Sequence, residues 1–196
     1  MLQNHHRALI FDCDGTIADS MPVHWIAWSS TLKKHGLDHL LPHERFVSLG
    51  GVPAAQIFEM LGKESGRELD AKALTLEKYQ AYYDHADQIR PIDAILNVAR
   101  ENKGKLPMAV ATGSTRTGVT RTLTAIGMLD FFDAVVSADD VQHPKPHPET
   151  FLTAAAKLGV EPQYCLAFED AAPGIAAARA AGMDVIDVNH VLAELK

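Results

Sequence analysis

The sequence predicts an α/β protein: a doubly wound, mostly parallel sheet with an all-helical segment inserted after its first strand. Three observations carry this prediction. From about residue 90 onward, short apolar runs alternate with helical patterns. Between residues 21 and 89 no run reads as a strand. Several of the apolar runs end in acidic, hydroxyl-bearing or basic residues, and in open parallel sheets that end of the strands is where ligands bind.

The first strand is the run Ala8-Leu9-Ile10-Phe11, closed by Asp12-Cys13-Asp14-Gly15. A continuous apolar run suits a strand buried on both faces, although a buried helical segment shows the same pattern. Alternation along an extended chain sends Asp12 and Asp14 to one side, where two carboxylates repel and need a cation, a proton or both. Taken alone, the pair also reads as an acidic turn, with Asp14-Gly15 as its turn chemistry.

Pro22 opens a helix in which Trp25, Trp28 and Leu32 recur at helical spacing until Gly36. Residues 35–43 read as a loop, 46–49 lead into the flexible Gly50-Gly51 turn, and 54–61 and 69–86 read as helices. The tyrosines and the two tryptophans read as the core of this insertion. The division is therefore an α/β core of residues 1–20 and 90–196, and a helical unit of residues 21–89 hinged at Ser20 and Arg90-Pro91.

The rest of the core follows in order: a helix at 92–102, a strand at 108–112, and a helix at 116–126 closed by Gly127. A third strand lies within 132–137, and a helix at 148–158 carries Pro148 in its first turn. A fourth strand at 165–168, a small-residue helix from Pro173 to Ala181 and a fifth strand at 185–188 complete it. Strands separated by helices imply right-handed crossovers and a parallel sheet.

Composition bounds the function. A chain of 196 residues with 47% hydrophobic content can bury a substantial core. A net charge of −7 offers no basic face to a nucleic acid, and no apolar run has the length of a membrane span. Asp12 comes too soon for a signal peptide, and Cys13 and Cys165 form no disulfide framework. The expectation is a cytoplasmic monomer. Among ten histidines, His39/His43 and His143/His147 are spaced by four, but the prolines around them argue against a helix presenting either pair to zinc.

Four strand ends carry the chemistry. After Asp12 and Asp14 comes Thr112-Gly113-Ser114, a hydroxyl, a bare backbone and a helix start, which suits an anion, with Ser114 as a plain N-cap the alternative. In the third, His143-Pro144-Lys145-Pro146-His147-Pro148, prolines hold one Lys on a stiff segment, which could equally be a solvated loop. In the fourth, Glu169-Asp170 opens a helix, where acidic residues are ordinary dipole partners. Together they suit phosphate chemistry. A few carboxylates suit Mg²⁺, which takes one or two of them plus substrate phosphate, and an Asp free to attack phosphorus suits an aspartyl-phosphate intermediate.

These motifs resemble the haloacid dehalogenase-like hydrolase superfamily: Asp12-Cys13-Asp14-Gly15-Thr16, then Thr112, Lys145 and Glu169-Asp170, in that order along essentially the whole chain. Phe-Glu-Asp-Ala-x-x-Gly-Ile and the Lys-Pro-x-Pro segment are similar to the branch of β-phosphoglucomutases and sugar-phosphate phosphatases, with most likeness to small fructose-1-phosphatase-like members. The resemblance implies a Rossmann-like core under a small helical cap and a phosphatase acting on a small sugar phosphate. It implies Asp12 as nucleophile and Mg²⁺ ligand, and Asp14 as acid/base that carries a proton and lends its backbone carbonyl to the metal. Thr112 and Lys145 would hold the phosphoryl group, and Asp170, with Glu169 beside it, the metal. Gly113 and Ser114 would contact substrate, as would His24, Gly51 and Lys78 from the cap. Alternatively His24 and Lys78 are solvated helix residues and Gly51 only a turn. The mutases place an Arg shortly after the cap Gly, and here Ala54 stands instead. That favours a phosphatase over a mutase, and the intact motif set argues against a non-catalytic phosphate-binding module.

Overall fold

The computed structural model describes residues 2–195. β1 (Ala8–Phe11) is the middle of a five-stranded sheet, paired with β4 (Met108–Ala111) on one side and β6 (Cys165–Glu169) on the other. β5 (Ala134–Val136) and β7 (Asp184–Asp187) form the edges, and every pairing is parallel. Phe11 is in register with both Val110 and Phe168, so the strands end at one level.

The two-residue alternation of β1 builds two cores. Leu9 and Phe11 join Ile95, Leu96, Val119 and Leu123 from α5 (Asp93–Asn102) and α6 (Arg116–Ala125). Ala8 and Ile10 join Phe151, Ala154, Ala177 and Ala178 from α7 (Glu149–Leu158) and α8 (Ala172–Ala180). Helices thus cover both faces, which is why the strands read as unbroken apolar runs.

The inserted segment leaves through β2 (Ala18–Asp19) and returns through β3 (Arg90–Pro91), an antiparallel ribbon pairing Ala18 with Pro91 and Asp19 with Arg90. Between them lie α1 (Met21–Lys34), α2 (His43–Ser48), α3 (Ala54–Ser65) and α4 (Ala71–Tyr83). Trp28, Leu32, Phe46, Phe58, Leu61 and Leu74 form a core of their own. Tyr82 does not belong to it. It lies in the core under the sheet with Val23, Ala27 and Ile89, its hydroxyl 2.7 Å from Thr122 Oγ1.

Some boundaries differ from the sequence reading. Residues 43–48 are helical rather than loop and turn approach. Pro148 is the N-cap of α7, one residue before its first turn. Val188 does not end the last strand: the Asp187 carboxylate accepts the Asn189 N–H at 2.9 Å and starts α9 (Val188–Ala193). Among the described residues no helix is long and apolar enough to cross a membrane.

Candidate active site

A cavity of about 410 Å³ lies between the C-terminal ends of β1, β4 and β6 and the inserted helices. Its floor is set by backbone geometry. Asp12 continues β1, its N–H donating to Phe168 O at 2.9 Å, and Thr112 continues β4, its N–H donating to Val136 O at 2.9 Å. Both side chains leave the sheet at the level where the strands stop.

Lys145 reaches this floor from the proline-flanked segment. Its Nζ donates to Asp12 Oδ1 at 2.6 Å and to Glu169 Oε1 at 2.7 Å. The residue is 5% exposed, so the solvated-loop alternative fails. Burial alone would lower the Lys145 pKa, but the Asp12 and Glu169 carboxylates outweigh it and hold the ammonium charged. The other Glu169 oxygen accepts the Ala171 N–H at 2.6 Å.

Asp14 sits in a cage of donors. Ser20 Oγ donates to Oδ1 at 2.6 Å, Ser114 Oγ to Oδ2 at 2.7 Å, and His24 Nε2 is 3.4 Å from Oδ1. Burial pushes its carboxyl up, but the hydrogen bonds from His24, Ser20 and Ser114 prevail and hold it well below the usual carboxylate range. Without substrate these donors favour the Asp14 anion, whereas the expected proton belongs to the state with a phosphate beside it. Ser114 is not an N-cap, since Thr115 caps α6 by accepting the Gly118 N–H.

The inserted helices supply a second chain of contacts. Lys78 is buried, its Nζ 2.8 Å from His24 Nδ1 and 4.4 Å from the Tyr79 ring centre, and the His24 ring stacks on Tyr82 at 4.1 Å. Burial lowers the Lys78 ammonium to about 7. Burial and the Lys78 ammonium also push the His24 imidazole down, while Asp14 opposes them. Both residues line the cavity, and neither is a solvated surface residue. Gly51 takes φ 83° in the turn that meets the core: a Cβ on Gly113 would lie 3.6 Å from Gly51 O.

Asp170 completes the acidic wall. Thr16 Oγ1 donates to its Oδ1 at 2.9 Å, and Asn189 Nδ2 donates to its carbonyl at 2.6 Å. Burial and the neighbouring Glu169 push the Asp170 carboxyl up to about 7. Burial also pushes Asp12 up; Lys145 opposes, and Glu169, Asp170 and Asp14 add to the push. Asp12 and Glu169 contact the Lys145 ammonium, and Asp14 and Asp170 stand near enough to push Asp12 up, so the wall offers hard oxygens with excess negative charge that suit Mg²⁺. Asp12 and Asp170 and the Asp14 carbonyl are the groups free to hold it. Lys145 and the Ala171 N–H occupy the two oxygens of Glu169, which the sequence reading placed beside Asp170 at the metal. Among the described residues, three potential ligand side chains converge within 4.8 Å only at two places away from this cavity, so a Mg²⁺ held here would complete its shell with water, as that ion prefers.

The sequence reading assigned no site contact to Ser20, Thr16 or Asn189. Ser20 and Thr16 touch the acidic groups only through a fold-back of the chain after Gly15. Asn189 depends on the unrecognised α9.

The haloacid dehalogenase-like hydrolase family profile matches residues 9–188. The fructose-1-phosphate phosphatase YqaB of Escherichia coli is 40% identical over 188 residues, covering 95% of this chain and 98% of that protein. Hexitol phosphatase A of Escherichia coli is 32% identical, covering 93% and 83%. The structure of a β-phosphoglucomutase from Clostridium difficile superposes with TM-score 0.83 at 28% identity, covering 93% and 84%. With its parallel sheet, its motif order and a match over nearly its whole length, this chain belongs to the haloacid dehalogenase-like hydrolases.

Proposed function

We propose that this chain, a phosphoric monoester hydrolase, releases inorganic phosphate from a small, fructose-1-phosphate-like sugar phosphate through an aspartyl-phosphate on Asp12. The observation that carries this reading is the contrast between two neighbouring carboxylates. Asp12 faces the Lys145 ammonium, while Asp14 is held by the Ser20 and Ser114 hydroxyls with His24 of α1 beside it. Two carboxyl groups placed so differently suit two roles, nucleophile and acid/base.

In this reading residues 1–20 and 90–196 form the core and 21–89 the cap. Asp12 attacks phosphorus while Lys145, Thr112 and the backbone of Gly113 hold the phosphoryl oxygens. The charge of the arriving phosphate raises Asp14 from its low value, so that it takes up a proton from solvent, delivers it to the departing sugar oxygen and then takes one from the attacking water. Asp12, Asp170 and the Asp14 carbonyl would hold Mg²⁺, which would neutralise charge on the phosphoryl group. His24, Gly51 and Ser114 meet the sugar.

A mutase needs a cap cation for a second phosphate. Ala54 lines the cavity where an Arg would serve, and Lys78 is the only Lys or Arg of the inserted segment in the wall among the described residues. Its lowered pKa makes it a weak anchor at neutral pH, and a methyl group cannot replace a guanidinium grip. The test is phosphate release from a panel of sugar monophosphates, run beside conversion of β-glucose-1-phosphate to glucose-6-phosphate with a bisphosphate primer. Net phosphate release is expected; fast isomerisation with little release would overturn the phosphatase reading in favour of the mutase.

A further inference from the structure

We propose that His143, His147 and Glu149 form a site for a first-row transition-metal dication, Zn²⁺ or Ni²⁺, on the outer side of the segment that carries Lys145. Each of the three offers a ligand atom, and these atoms lie within 4.8 Å of one another. The site is separate from the carboxylate wall of the cavity, and none of its residues lines that cavity.

The prolines that argue against a helical His pair are what build this one. The segment doubles back through the His147 N–H to Pro144 O bond at 3.0 Å, and the two imidazole rings meet with centres 4.6 Å apart. Glu149 is fixed beneath them, its Oε1 accepting the Gln142 N–H at 2.8 Å and its Oε2 the His143 N–H at 3.0 Å. His143 Nδ1 is 2.7 Å and His147 Nδ1 3.9 Å from that same Oε2.

Chemistry selects the ion. Two imidazoles and one carboxylate suit borderline metals, whereas Mg²⁺ takes oxygen ligands. Both rings are more than half exposed, at 62% and 52% of their side chains, so a metal can reach them and water can complete its shell. The Glu149 N–H to His147 Nδ1 bond is long at 3.3 Å, and breaking it strands no buried group.

The other such cluster, His5, His6 and Asp184, lacks this freedom. Buried His6 accepts the Gln3 N–H on Nδ1 at 3.0 Å, so its proton sits on Nε2, 2.9 Å from Asp184 Oδ2. A metal at Nε2 would have to displace that proton and leave the ring anionic, or break the Gln3 bond.

The consequence is a clamp. Lys145 lies between the two histidines in sequence, so a metal bound outside would cross-link the ends of the turn that aims the ammonium inward. The experiment is Zn²⁺ calorimetry on the metal-stripped full chain in saturating Mg²⁺, for the wild type, His143→Ala, His147→Ala and the control His5→Ala. The wild type is expected to bind Zn²⁺, with affinity reduced at least about tenfold in both His143→Ala and His147→Ala and unchanged in His5→Ala. All three substitutions remove exposed side chains, so folding is not at issue. No Zn²⁺ bound by the wild type, unchanged affinity in both segment variants, or loss in His5→Ala alone would each overturn the site.

Discussion

Gly174 leaves the space that the Glu169 carboxylate fills: a Cβ built on it would run into Glu169 Oε1 and Cδ. Glu169 in turn holds Lys145 at 2.7 Å. Gly174→Ala is therefore expected to push Glu169 from beneath the ammonium. Turnover should fall roughly a hundredfold, as for an ångström-scale misplacement, and stability by about 1–3 kcal/mol. Steady-state kinetics and urea unfolding check both.

Asp12→Asn should abolish turnover by roughly 10⁴-fold while leaving the fold intact. The amide is nearly isosteric and its oxygen can still accept from Lys145. Multiple turnovers at more than a few per cent of the wild-type rate would remove Asp12 as nucleophile.

Asp14→Asn should reduce hydrolysis of a sugar phosphate by about a hundredfold or more, because the leaving alkoxide then departs unprotonated. An aryl phosphate with an acidic phenol needs no such proton, and its loss should be much smaller. Rates on the two esters, measured side by side, decide the leaving-group role; equal losses would count against it.

Mg²⁺ should distinguish the two acidic neighbours. Asp170→Asn is expected to raise the Mg²⁺ concentration for half-maximal activity by at least about tenfold. Glu169→Gln should leave that concentration nearly unchanged but lower kcat, because it alters the partner of Lys145 rather than a metal ligand. Excess chelator should silence the wild type, and Ca²⁺ should not replace Mg²⁺.

Lys78 should cost stability. Its folded pKa is about 7 against an ordinary 10.5. Between these values the unfolded chain binds more protons, so stability rises as pH increases from about 7 towards 10.5. Below that window the penalty is complete, on the order of several kcal/mol. Loss of the donor to His24 costs about 1–3 kcal/mol, so Lys78→Met is expected to be the more stable protein at pH 6, with the advantage shrinking by pH 10. Denaturant unfolding at both values tests the sign.

The strand ends were legible because each is local in sequence. An apolar run such as Ala8–Phe11 announces the strand, and the next residues are the site. The glycine-marked helix ends were legible for the same reason. The support of Asp14 was not: Ser20 reads only as a hinge until the chain folds back after Gly15, and Ser114 reads as a cap until Thr115 takes that place. Tyr82 reads as cap core by helical spacing, and only its approach to Thr122 moves it beneath the sheet. Val188 misled because an apolar residue after Val185 and Ile186 extends a run, whereas the Asp187 carboxylate ends it. Each miss is a tertiary contact overriding a local pattern.

The core beneath the sheet takes Val23, Ala27, Tyr82 and Ile89 from the inserted segment. Neither part of the chain therefore owns a complete interior. Melting the inserted helices would strip apolar neighbours from β1, and melting the sheet would strand Tyr82 and its hydroxyl. The two parts are bound to lose structure cooperatively, as one thermodynamic unit. A shared, close-packed base favours small sliding between them, in the manner of shear, over a free hinge.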